Sequence, residues 1–162
     1  MKLQVQDHEA YAYTGGKTFD AALPCIVFIH GALNDHSVWT LLARSFAHQG
    51  HGVLAVDLPG HGRSEGPVLA DVEQLAAWVL ALLDAAGVSS AALVGHSMGS
   101  LIALEAAGQA PARVSHLAMV GTAYPMKVSE ALLTTARDEP LKAIEMVNNF
   151  QHSGWAAKPS YP

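Results

Sequence analysis

Cysteine is almost absent from this 162-residue chain. Cys25 stands alone, so no disulfide can form within the chain, and this usage fits a reducing compartment. Basic residues are also scarce: 9 Lys and Arg against 14 Asp and Glu leave a formal net charge of −5, with no lysine or arginine cluster. Nucleic acid and anionic membrane are therefore not expected partners. Long apolar runs are missing too. The longest uncharged one, Leu75 to Leu83, falls far short of the roughly 20 residues that a membrane span requires. The stretch from Met1 to Gly15 mixes polar and apolar residues and has no apolar centre of the kind a signal peptide carries. No His-x-x-x-His or His-Glu-x-x-His spacing occurs, so no metal is expected, and nothing points to a cofactor. These absences describe a soluble, cytoplasmic protein whose partner is a small-molecule substrate.

Apolar residues are abundant. They make up 51% of the chain, enough for one ordinary core and too many for a chain disordered throughout. They are arranged as alternating strand-like and helix-like segments. His8 to Thr14 can form an early strand, and Cys25-Ile26-Val27-Phe28-Ile29 is an unbroken apolar run, as in a strand covered on both faces. Cys25, inside that run, reads as a small buried hydrophobe. Residues 34–49 read as a helix with Val38, Leu41, Leu42, Ser45 and Phe46 along one side. Val53 to Val56 is a second buried strand that runs into the loop Asp57-Leu58-Pro59-Gly60-His61-Gly62.

Asp71 and Gln74 have the spacing of a capping box, followed by Val72, Leu75, Ala76, Val79, Leu82 and Leu83 on one helical face. Ala91 to Val94 and Val114 to Val120 complete the strands. Met126 to Phe150 reads as two short amphipathic helices divided at Pro140, and Ser153 to Pro162 as loop. This β-α-β order predicts an α/β protein: a mostly parallel, doubly wound sheet with helices on both faces. Trp39 and Trp78 are expected in the core.

Gly95-His96-Ser97-Met98-Gly99 carries the chemistry. It is a G-x-S-x-G motif between a strand and a helix, where a serine is pushed out of the sheet on a sharp turn that its glycines make room for. Ser97 is the candidate nucleophile. Serine needs donors for the oxyanion that its attack creates. One is the backbone N–H of Met98, at the positive end of the following helix. The second is the N–H of Ala32 in Ile29-His30-Gly31-Ala32-Leu33, since parallel strands bring that loop to the same sheet edge. His30, Gly31, Gly95, His96 and Gly99 shape the site. His96 adjoins Ser97, but neighbouring side chains on a tight turn diverge, so a packing role is expected. His30 and His61 read as braces of their loops, Asp57 ends a strand and can approach the site, and His152 reads as a solvated loop residue.

His30-Gly31, Asp57-Leu58-Pro59-Gly60-His61-Gly62-Arg63-Ser64 and Gly95-His96-Ser97-Met98-Gly99 stand in the order and spacing of the α/β-hydrolase superfamily. The chain resembles its esterase and C–C-bond-hydrolase branch, closely over residues 8–124 and loosely beyond. The resemblance implies a serine hydrolase acting on a small or medium apolar ester or related acyl substrate. It also implies a triad in the order Ser, Asp or Glu, His. The family's acid follows the strand after Val114–Val120 and its base follows the last strand, and neither strand is found here. Residues 1–124 therefore read as the N-terminal part of the hydrolase core and 125–162 as the start of a helical cap. The sheet is expected to be truncated before its last strands, and activity to need an Asp and a His from elsewhere. The alternative is a catalytically inactive hydrolase-fold binding module or fragment. The 114–120 strand would then lie at an edge, open to a second copy or a complementing fragment.

Overall fold

A computed structural model describes residues 1–150 of the chain. The strands are β1 (Lys2–Val5), β2 (His8–Tyr13), β3 (Cys25–Ile29), β4 (Gly52–Val56), β5 (Ala91–His96) and β6 (Val114–Val120). The helices are α1 (Thr40–His48), α2 (Val72–Ala85), α3 (Met98–Gln109), α4 (Glu130–Asp138) and α5 (Pro140–Phe150). All six strands form one sheet in the order β1-β2-β4-β3-β5-β6. β4, β3, β5 and β6 run parallel, and the N-terminal hairpin joins antiparallel through β2. The chain divides into two compact units, Met1–Ala123 and a second that begins at Tyr124.

Burial on both faces explains the unbroken apolar strands. Side chains alternate across a strand, so Val27 and Ile29 join Leu54 and Val56 against α2 and α3, while Ile26 and Phe28 join Val53 and Ala55 against Trp39 and α1. Leu75, Trp78, Val79, Leu82 and Leu83 of α2 are all buried, each contributing about 1.5–3 kcal/mol of transfer free energy. The predicted cap forms: the Asp71 carboxylate accepts from the Gln74 N–H at 2.7 Å. Cys25 lies 5% exposed, and burial pushes its thiol up to about 12, so it stays an inert hydrophobe.

Two details differ from the sequence reading. β1 pairs with β2 across the turn Gln6-Asp7, with Gln6 in the left-handed region at φ 54°. Only Leu3 and Val5 point inward, too short an alternation to register as a strand. The expected helix over 34–49 is also interrupted. Asp35 caps a 3₁₀ turn over His36–Trp39, and α1 starts at Thr40. A 3₁₀ turn advances by more degrees per residue than an α-helix, which rotates the faces of α1 behind it. Trp39, Ala43 and Ala47 consequently face the sheet, while Val38, Leu41 and Leu42 are exposed, Leu41 at 73%.

In the second unit Ser129 caps α4 by accepting from the Leu132 N–H, and α5 follows directly at Pro140. Leu133 and Leu141 are exposed. Residues 151–162, with His152, lie outside the described residues.

β6 is hydrogen-bonded to β5 on one side and, among the described residues, to no strand on the other. Leu117, Met119 and Val120 are exposed there, with no lysine, proline or unpaired charge to discourage another strand. We expect the chain to self-associate through this edge. Light scattering after size-exclusion chromatography should find a dimer that dissociates on dilution and that Met119→Lys weakens. A monomer at every concentration would contradict it.

Candidate active site

The C-terminal ends of β3, β4 and β5 meet at one edge of the sheet, and the three loops that leave them build the site. The β5–α3 loop is the sharpest turn. Ser97 sits between strand and helix at φ 53°, ψ −121°, a conformation that a side-chain-bearing residue adopts only under strain of about 1–3 kcal/mol. The turn is held from outside: the Ser97 N–H donates to the Val120 carbonyl at 2.9 Å. The Ser97 carbonyl accepts from the Ser100 N–H at 2.9 Å and the Ser100 hydroxyl at 2.5 Å. The Ser100 hydroxyl in turn accepts from Thr122 at 2.8 Å.

Gly95 and Gly99 let strand and helix cross this closely. A Cβ on Gly95 would run into the Gly99 carbonyl, and one on Gly99 into the carbonyls of Ile29 and His30. The flanking glycines of the motif are therefore spaces for backbone, one of them filled by the end of β3.

The β3 loop lies directly against the serine. A Cβ on Gly31 would stand 3.2 Å from Ser97 Cβ and 3.2 Å from His96 Nδ1. The next residue, Ala32, and Met98 at the start of α3 offer the two N–H groups singled out as oxyanion donors. Among the described residues, neither amide donates to another backbone group outside helices and strands. Leu33 follows at φ 60°, turning the loop back toward the 3₁₀ segment.

The histidines occupy separate positions. His30 is fully buried and uses both ring nitrogens: Nδ1–H donates to the Gly31 carbonyl at 2.8 Å, and Nε2 accepts the Leu58 N–H at 3.1 Å. Because the Leu58 amide can only donate, the ring is neutral with its proton on Nδ1. His61 Nδ1 lies 3.0 Å from the Pro59 carbonyl. His96 is partly buried, with Trp39 edge-on at 6.5 Å between ring centroids.

Asp57 is fully buried at the end of β4. Its Oδ1 accepts the His36 N–H at 2.7 Å and faces His36 Nδ1 at 2.8 Å, and its Oδ2 accepts the Arg63 N–H at 2.9 Å. Ser64 donates to the Asp57 carbonyl and accepts from the Tyr11 N–H, tying the same loop to β2.

The His36–Asp57 pair was not singled out from the sequence. Twenty-one positions separate the partners, and only the parallel pairing of β3 with β4 brings them together. Asp35, His36 and Asp57 hold potential ligand atoms within 4.8 Å of one another. N–H donors already engage both Asp57 oxygens and Asp35 Oδ1, which makes the group a hydrogen-bonded brace.

The sequence model of the alpha/beta hydrolase fold matches residues 24–152. The chain belongs to this family. Among curated relatives, the dihydrolipoyllysine-residue acetyltransferase component of the acetoin cleaving system of Pseudomonas putida is 39% identical over 99 residues, 60% of this chain and 26% of that protein. The sn-1-specific diacylglycerol lipase of Mus musculus is 33% identical over 135 residues, 83% of this chain and 44% of that protein. Among solved structures, the enol-lactonase from Burkholderia xenovorans superposes with a TM-score of 0.77 at 28% identity, covering 92% of this chain and 58% of that one. The chain thus spans less than half the length of both curated relatives. Among the described residues no helix is long and apolar enough to cross a membrane.

Two outcomes are expected from this geometry. Gly99→Ala forces a methyl into the end of β3 and is expected to lower unfolding stability by about 3 kcal/mol, read by urea denaturation. Acid should weaken the fold as well. Burial holds His30 below its ordinary value, with the Gly31 carbonyl partly opposing, and burial also lowers His96. In the unfolded chain both titrate near ~6.5, so below that pH the unfolded state takes up protons that the folded state refuses. The urea midpoint should fall between about pH 6.5 and pH 5.5. A midpoint that rises over that range would contradict the reading.

Proposed function

We propose that this chain carries the nucleophile and oxyanion-binding part of a serine hydrolase. Ser97 Oγ attacks the carbonyl carbon of a small or medium apolar ester or related acyl substrate. The Oγ–carbon bond forms as the hydroxyl proton passes to a base, and the carbonyl oxygen becomes an oxyanion facing the N–H groups of Ala32 and Met98. Collapse expels the alcohol, which takes that proton, and water then releases the acid and restores Ser97. The base and the acid that orients it are assigned to no described residue. His30 has both ring nitrogens occupied and cannot take the proton. A histidine and an aspartate from outside the described residues complete the relay.

The single observation that carries this reading is the strained Ser97 backbone, φ 53°, with Gly31 against its Cβ. Strain of this kind is kept where a site requires it. An ester substrate is in keeping with relatives named as a diacylglycerol lipase and an enol-lactonase. A nucleophile and oxyanion donors without a base retain part of the rate enhancement of a full triad.

The test is labelling with a fluorophosphonate while imidazole serves as an external base. Mass spectrometry should find one adduct, on the peptide containing Ser97, formed faster as imidazole is added and absent in Ser97→Ala. Labelling indifferent to Ser97→Ala, or none at any imidazole concentration, would overturn the proposal.

A further inference from the structure

Two consecutive residues at the end of β4 hold both ends of the loop that carries Ala32. At the near end, the Leu58 N–H donates to His30 Nε2 at 3.1 Å. At the far end, the Asp57 carboxylate accepts the His36 N–H at 2.7 Å and faces the His36 ring at 2.8 Å. The span between, residues 31–35, has few constraints of its own: Asn34 Nδ2 donates to the Ala32 carbonyl at 3.0 Å, and Ser37 N–H donates to Asp35 at 2.7 Å. It also includes Leu33 in the left-handed region at φ 60°, a conformation that a free loop would leave. Asp57 is itself immobilised, fully buried and held on its other oxygen by the Arg63 N–H at 2.9 Å.

We infer that Asp57, acting through His36, is a positioning residue that holds the Ala32 amide over Ser97, with His30 as the second anchor of the same loop. The inference rests on the serine-hydrolase reading above for its catalytic consequence, but the clamp is a physical statement about the loop alone. Asp57 touches no reacting atom. It sets where one oxyanion donor points, and a displacement of about 1 Å at such a donor is worth about a hundredfold in rate. The titratable and charged groups facing Asp57 are His36, Arg63 through its backbone, Asp35 and, more remotely, His30.

Three variants separate this role from plain packing. Asp57→Asn puts an amide where two oxygens accept. His36→Leu removes the ring donor but keeps the backbone one. His36→Asn restores a donor close to the Nδ1 position and serves as the conservative rescue. Imidazole-assisted fluorophosphonate labelling of Ser97 is expected to slow by about tenfold to a hundredfold in Asp57→Asn and His36→Leu, and to recover to within about threefold in His36→Asn. Amide hydrogen exchange on the same proteins reads the loop directly. Exchange should rise over residues 30–36 in the first two variants and not elsewhere.

If wild-type Ser97 is not labelled, the hydrolase reading falls, and hydrogen exchange alone decides the clamp. Unchanged exchange over 30–36 in folded His36→Leu, or a rise spread over the whole domain, overturns it. If Asp57→Asn fails to fold, the His36 pair still gives the answer. Labelling and exchange within twofold of wild type in both His36 variants would show that the loop holds itself.

Discussion

The structure turns on a backbone crossing. β5 must end, Ser97 must bend at positive φ, and α3 must begin within two residues, all while the end of β3 passes alongside. Only backbone fits in that space. Gly95 and Gly99 supply it, and the Ile29 and His30 carbonyls occupy the room that a side chain on Gly99 would take. Local strain of about 1–3 kcal/mol at Ser97 is then sustained by the Val120 carbonyl, by Ser100 and by Thr122. The same crossing brings Gly31 against the serine, so strain, close packing and the approach of the Ala32 loop have one origin.

Much of this was legible in the sequence because it is short-range. The apolar run Cys25–Ile29 is a strand buried on both faces, and the Asp71 cap and the helix behind it form as their spacing predicts. The α1 segment shows where periodicity loses its force. Apolar spacing points to Val38, Leu41, Leu42, Ser45 and Phe46 as the inner face, yet of the large residues only Phe46 packs on the sheet cluster, beside the expected Trp39 and the alanines Ala43 and Ala47. The one-turn 3₁₀ segment shifted the phase, and α1 turns alanines rather than leucines to the sheet. Nothing in a count of apolar spacing contains that information.

The loop braces show the same division at the site. His30 and Asp57 could be read as loop-supporting residues from their motifs. Their distant partners could not, because the Leu58 amide for His30 and the His36 ring for Asp57 are met only across the parallel β3–β4 pairing. These contacts also decide chemistry. A histidine whose two nitrogens are already committed cannot serve as a base, and a carboxylate surrounded by three N–H groups acts as a brace.

By itself, the sequence determined the order of strands and α-helices from β2 onward, the mostly parallel sheet and the strand-to-helix turn at Ser97. Each comes from residue spacing within a few positions, where chain geometry leaves few options. Only the tertiary structure decided which face of α1 is covered, how Asp57 and Leu58 grip both ends of the Ala32 loop, and that Val120 and Thr122 brace the serine turn. Those features depend on which distant segments arrive beside one another, and hydrogen bonds between such segments have no local signature in the chain.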